Sequence, residues 1–124
     1  MKKIAMLVLV AILSLGVLTA CGGGGGSKSA REVEVVMGAN GEWKFTPDLV
    51  EVTKGETVKF NLVNKDAAQA HSFIVAELNL KSQQVPANTT QSVTHTFDKT
   101  GEFALTCDVP GHKDAGMIGK IVVK

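Results

Sequence analysis

Strict two-residue alternation of apolar and polar side chains is the feature that most constrains this chain. Val58, Phe60 and Leu62 alternate with Lys59 and Asn61, and Phe103, Leu105 and Cys107 alternate with Glu102, Ala104 and Thr106. Met117, Gly119, Ile121 and Val123 do the same against Ile118, Lys120, Val122 and Lys124. Successive side chains of a strand point to opposite faces, so each run describes a strand with one buried side. Shorter runs at Val33–Val35 and Val50–Val52 repeat the pattern, and helical periodicity is weak throughout. Lys54–Gly55 marks a turn, Asn64–Ala70 a polar loop, and HSFIV from His71 an apolar strand. Leu80–Asn88 reads as a connection around Pro86 with a short helical turn, Thr89–Phe97 as a strand, and Asp98–Gly101 as a hairpin turn into Glu102–Cys107. Seven to eight short strands with turn signals between them predict an all-β, Greek-key antiparallel β-sandwich.

The N-terminus has a different character. Two lysines precede a little-interrupted apolar run from Ile4 to Leu18, followed by Thr19, Ala20 and Cys21. That is the order of a secretory signal, and Leu18–Cys21 resembles a bacterial lipobox, which implies cleavage after residue 20 and lipidation of Cys21. Residues 22–30 are glycine and serine with one lysine and a closing alanine, a flexible linker with an r.m.s. reach of ~17 Å. The expected organisation is therefore a signal peptide at 1–20, a lipidated cysteine and linker at 21–30, and one folded domain at 31–124. Such a protein is extracytoplasmic, held to a bacterial membrane by acyl chains. Removing Lys2 and Lys3 leaves 11 basic against 12 acidic residues, a net charge of −1. No basic stripe is available for phosphate, so nucleic acid is not an expected partner.

Lipidation of Cys21 leaves Cys107 as a single thiol in an oxidising compartment, where an unpaired sulfur needs to be buried or bound. It opens the stretch CDVPGHKDAGM, in which His112 and Met117 follow at gaps of four residues. Strand parity turns Cys107 and Met117 inward at one pole of the sandwich, and the loop between them is stiffened by Pro110. His71 opens a strand after a long loop and reaches the same pole. Singly, each of these residues has an ordinary structural explanation as core filler or surface histidine. Together, two imidazoles, a thiolate and a weak thioether form the set associated with copper electron transfer. Zinc is the competitor, but thioether is a poor zinc ligand. A nucleophile–base pair of Cys107 with either histidine leaves the methionine unexplained, so an enzyme is not expected. An extracytoplasmic copper-trafficking protein is the alternative, although such sites are commonly richer in methionine.

With KGETVKFNLVNKD before His71, GEFALTC ending at Cys107 and GHKDAGMIGKIVV closing the chain, the sequence resembles the cupredoxins, the type 1 blue copper proteins, over about Val33–Lys124. The resemblance implies one copper ion cycling between Cu(I) and Cu(II), with His71, Cys107, His112 and Met117 as ligands. It implies single-electron exchange with redox proteins such as cytochromes or membrane respiratory and photosynthetic complexes, by a monomer. Some members also bring the carbonyl of the residue before the first histidine near copper, here Ala70. Two departures stand out: the Cys-to-His gap is longer than in plastocyanin and closer to auracyanin and rusticyanin, and Ser72 stands where many members have an asparagine that hydrogen-bonds around the thiolate. His112, flanked by Pro110, Gly111, Ala115 and Gly116, is expected to present its edge near solvent as the electron exit. His95 fits no motif and reads as a strand histidine without a metal role.

Overall fold

A computed structural model of the chain describes residues 29–124. The signal segment, Cys21 and nearly all of the linker lie outside the described residues. Among the described residues nine strands run in chain order: β1 (Arg31–Met37), β2 (Phe45–Thr46), β3 (Leu49–Val52), β4 (Thr57–Asn64), β5 (Ile74–Val75), β6 (Leu80–Lys81), β7 (Thr90–Thr96), β8 (Gly101–Thr106) and β9 (Ile118–Val123). Short 3-10 turns occupy Ala39–Gly41 and Ala76–Leu78. Among the described residues no helix is long and apolar enough to cross a membrane.

The strands form two sheets in the orders β2-β1-β4-β7 and β3-β9-β8-β5-β6. The alternation in β4 is complete: Val58, Phe60 and Leu62 are fully buried while Lys59 and Asn61 are half-buried. Phe103 and Leu105 of β8 and Ile121 and Val123 of β9 cover the same core from the other sheet. Phe73 sits between the layers, tilted against Phe60 at 4.8 Å and edge-on to Phe45 at 6.0 Å between ring centroids. Each such buried side chain contributes about 1.5–3 kcal/mol through removal from water.

Beyond β6, a two-residue strand inside the stretch that reads as a connection, three details differ from the sequence-based expectation. First, the sandwich is mixed: β1 pairs with β4 in parallel from Arg31↔Val58 to Met37↔Asn64, and β3 pairs with β9 in parallel. Alternation reports which face is buried and is blind to the direction of the neighbouring strand. Second, Asp98–Gly101 is a crossing between sheets, because β7 pairs with β4 while β8 pairs with β5 and β9. The amides of Gly55 and Phe97 donate to the carbonyls of Phe97 and Glu56, which holds the end of β7 to its own sheet; Gly101 then joins Val123 of the other. Third, HSFIV is buried throughout, yet only Ile74–Val75 pairs as a strand. The Ser82 hydroxyl accepts from the Phe73 amide at 2.8 Å, and His71 makes an isolated bridge with Val85, so loop contacts replace the ladder.

One pole of the sandwich is set by these registers. Met37 lies opposite Asn64, and Thr106 lies opposite Ile118. Continuing the last register by one residue sets Cys107 against Met117.

Candidate metal centre

Three chain segments bring their donors to that pole. Cys107 continues the inward face of β8 and is 2% exposed. The loop after it folds back through hydrogen bonds from the His112 amide to the Val109 carbonyl (3.1 Å) and from the Met117 amide to the His112 carbonyl (3.0 Å). This turn fixes the backbone on both sides of the His112 imidazole and delivers the fully buried Met117 to the start of β9. The third segment is anchored by the reciprocal bonds between His71 and Val85, at 3.1 and 2.7 Å.

The nitrogen and sulfur donors of His71, Cys107 and His112 all lie within 4.8 Å of one another, and all three residues are buried. The two Nδ1 atoms face each other at 3.0 Å, and Cys107 Sγ lies 3.7 Å from His112 Nδ1. Separations of this size arise when nitrogen and sulfur share one ion at about 2.0–2.3 Å. Two imidazoles and a thiol, with a thioether buried at the same pole, suit a soft or borderline transition metal. Thus the residues fit a metal ion on both distance and donor chemistry.

The protonation states favour ligation. Burial, and then the neighbouring His71, hold the His112 pKa below the ordinary histidine value, keeping the imidazole neutral with a lone pair to donate. His71 Nε2 lies 3.1 Å from Asp66 Oδ2, and Asp66 is itself buried. The Ala68 amide above all, against the opposing effect of burial, and then the Gln69 amide and His71 hold the Asp66 carboxyl below the usual carboxylate range. Beside the ionised Asp66, Nε2 is the ring nitrogen placed to donate, which turns Nδ1 of His71 toward the metal side.

Ser72 takes up a position beside the thiol. Its amide donates to Cys107 Sγ at 3.4 Å, while its hydroxyl donates to Asp108 Oδ1 at 2.5 Å and accepts from the Asp108 amide at 2.9 Å. The hydroxyl also lies 3.7 Å from the sulfur, but its single proton is committed to the much shorter Asp108 contact. The main-chain amide is therefore the principal hydrogen bond to sulfur, a bond that any residue except proline supplies here.

Residues unmarked by the sequence pattern complete the centre. Trp43, half-buried, stacks on His112 with ring centroids 4.1 Å apart. His112 is only 2% exposed, so the expected solvent-facing imidazole edge is corrected: the indole stacks over one face of the ring, and the exposed groups beside it are loop residues such as Pro110, Gly111 and Lys113. Asp66 falls within the stretch Asn64–Ala70 that reads as a polar loop. Its position five residues before His71, behind Asn64 in an Asn-x-Asp pattern that favours side-chain-to-backbone turns, is the available signal. Ala70 is half-buried beside His71. His95 lies opposite Val58 on β7, five residues from the Val63↔Thr90 pair near the centre, roughly 17 Å along the strand. It packs edge-on against Phe97 and takes no part in the donor cluster.

Comparison with known proteins gives a consistent picture. The family model described as "Cupredoxin-like domain" matches residues 5–123. The "Copper-resistant cuproprotein CopI" of Rubrivivax gelatinosus is 32% identical over 120 residues, covering 82% of this chain and 71% of that protein. "Auracyanin-A" of Chloroflexus aurantiacus is 29% identical over 156 residues, covering 95% and 96%. The solved structure of auracyanin A from Chloroflexus aurantiacus, a "blue" copper protein, superposes with a TM-score of 0.70 at 24% identity, over 77% of this chain and all of that one. At that identity, the structural likeness bears on the fold.

Proposed function

The chain belongs to the cupredoxin-like domain family, and on that footing we propose that it is a copper protein carrying single electrons between redox partners outside the cytoplasm. The convergence of two imidazoles and one thiol within 4.8 Å, all buried, is the observation that carries this reading. His71, Cys107 and His112 would hold the ion, with the thioether of Met117, buried at the same pole, as a weaker fourth donor. A copper ion so held supplies one-electron chemistry between its Cu(I) and Cu(II) states.

The residues around it keep the geometry fixed and keep water out. The loop bonds at Val109, His112 and Met117, the β8–β9 register and the His71–Val85 bridge hold the donors in place whichever charge the ion carries. Burial of all three donors leaves no room for a substrate beside the metal, and the clefts lined by Arg31, Thr53 and Glu56 and by Leu49, Ile118 and Lys120 include none of them. This supports electron carriage over bond-making chemistry. Electrons cross between His112 and a partner docked at this pole, where the half-buried Trp43 stacks on the ring. A near-neutral chain attracts partners weakly through charge. A lipid anchor at Cys21 with its glycine-rich linker supplies a high local concentration instead. Cytochromes or membrane redox complexes are the partner class that such tethering serves.

A second reading, copper sequestration during copper stress, is favoured by the 32% identity to a copper-resistant cuproprotein. Voltammetry combined with chelator competition separates the two. A carrier gives a reversible one-electron wave and retains copper against a competing chelator for hours. Rapid loss of copper without a reversible wave selects the sequestering role.

A further inference from the structure

Asp66 is the one buried acidic side chain among the described residues, and it faces the ring nitrogen of His71 opposite the donor cluster. Resting on that copper reading, we propose that Asp66 is a positioning residue for His71 and a fixed buried charge that biases the site toward the oxidised ion.

The positioning follows from a closed set of bonds. Asp66 Oδ2 meets His71 Nε2 at 3.1 Å, while Oδ1 accepts from the amides of Ala68 and Gln69, each at 2.9 Å. The Asp66 amide donates to Asn64 Oδ1, and Asn64 Nδ2 donates to the carbonyls of Gln69 and Val85. Val85 in turn is bonded to His71. Both carboxylate oxygens are therefore spoken for, and the loop returns to the histidine it orients. Gly38 lies against this pair. A Cβ there would stand 2.6 Å from Asp66 Cβ and 2.8 Å from His71 Nε2, so the backbone of Gly38 covers the contact closely.

The charge follows from arithmetic at the same centre. Cu(II), the Cys107 thiolate and the Asp66 carboxylate sum to zero, whereas Cu(I) with the same two anions sums to −1. An uncompensated charge in a buried pocket is costly, so the carboxylate disfavours reduction. Partners of this kind typically change metal affinity by 10–100-fold when removed.

The test uses the whole protein and the variants Asp66→Asn and Asp66→Ala, each checked by circular dichroism for an intact sheet signal. Affinity for Cu(II) is expected to fall about 10–100-fold more than affinity for Cu(I) in both variants, which raises the potential by about 59–118 mV. In metal-free wild type, nitrogen NMR of His71 is expected to show the proton on Nε2. Equal losses for both oxidation states with an unchanged potential would reduce Asp66 to a structural residue and overturn the charge argument. A proton on Nδ1 of wild-type His71 would overturn the positioning. The NMR arm requires no copper, so it judges Asp66 even if copper proves not to be the bound metal.

Discussion

The indole of Trp43 lies nearly flat on the imidazole of His112, with ring planes inclined by 21°. Trp43 is the only tryptophan in the chain, so its fluorescence reports on this one contact. Stoichiometric Cu(II) is expected to quench most of the emission, because an excited indole beside a copper ligand transfers energy or an electron to the ion. Zn(II), redox-inert, is expected to quench far less. Trp43→Ala is expected to cost about 1–3 kcal/mol, less than a fully buried tryptophan because the ring is half-buried. A fluorescence titration with both ions, and denaturant unfolding of the variant, check these outcomes. Emission indifferent to Cu(II) would mean that copper does not bind at His112.

Gly38 should tolerate no side chain. Its φ of +69° lies in the left-handed region, and a Cβ would meet Asp66 and His71 at well under 3 Å. Gly38→Ala is expected to destabilise the metal-free fold by about 2 kcal/mol or more. By contrast, Gly41→Ala, also at positive φ but with open space around it, is expected to cost about 1 kcal/mol. Thermal melts of the two variants make the comparison, and equal melting temperatures would contradict it.

Much of the centre was legible in the sequence, because alternation fixes the direction of side chains. Phe103, Leu105 and Cys107 point inward together, as do Met117, Ile121 and Val123. His112 and Met117 stand close to the unpaired Cys107 in the chain itself, at gaps of four residues. What escaped depends on long-range pairing. Trp43 reaches His112 from 69 residues away, through a turn between β1 and β2 that has no metal-site signature. The parallel pairs β1–β4 and β3–β9 also follow from connections that switch sheets at Thr53–Glu56, which burial patterns do not encode. The closeness of His112 to glycines and a proline suggested exposure, while the covering group came from elsewhere. The lipidation of Cys21 rests on the sequence alone.

Acid should destabilise the metal-free protein in two stages. Burial, and then the neighbouring His71, hold the folded-state pKa of His112 below its free value of 6.5. The unfolded chain therefore binds more protons in this window, and the stability contributed by neutral His112 is full above pH ~6.5 and lost as pH falls toward the folded value. Asp66 has the same sign at lower pH: its carboxyl is depressed below 3.8, so its contribution is present above pH ~4 and lost as pH falls through the folded value. Melting temperatures of metal-free protein are expected to fall from pH 7 to 5, and His112→Gln is expected to flatten that limb. A melting temperature that rises over the same interval would contradict the buried, neutral His112.

The most direct test of the copper assignment is the visible spectrum of purified protein after addition of one equivalent of Cu(II). A site of two imidazoles and the Cys107 thiolate predicts an intense sulfur-to-copper absorption that bleaches on reduction, returns on oxidation and is abolished in Cys107→Ser. Wild-type protein that binds Cu(II) without that band, or a band that survives Cys107→Ser, would contradict the account.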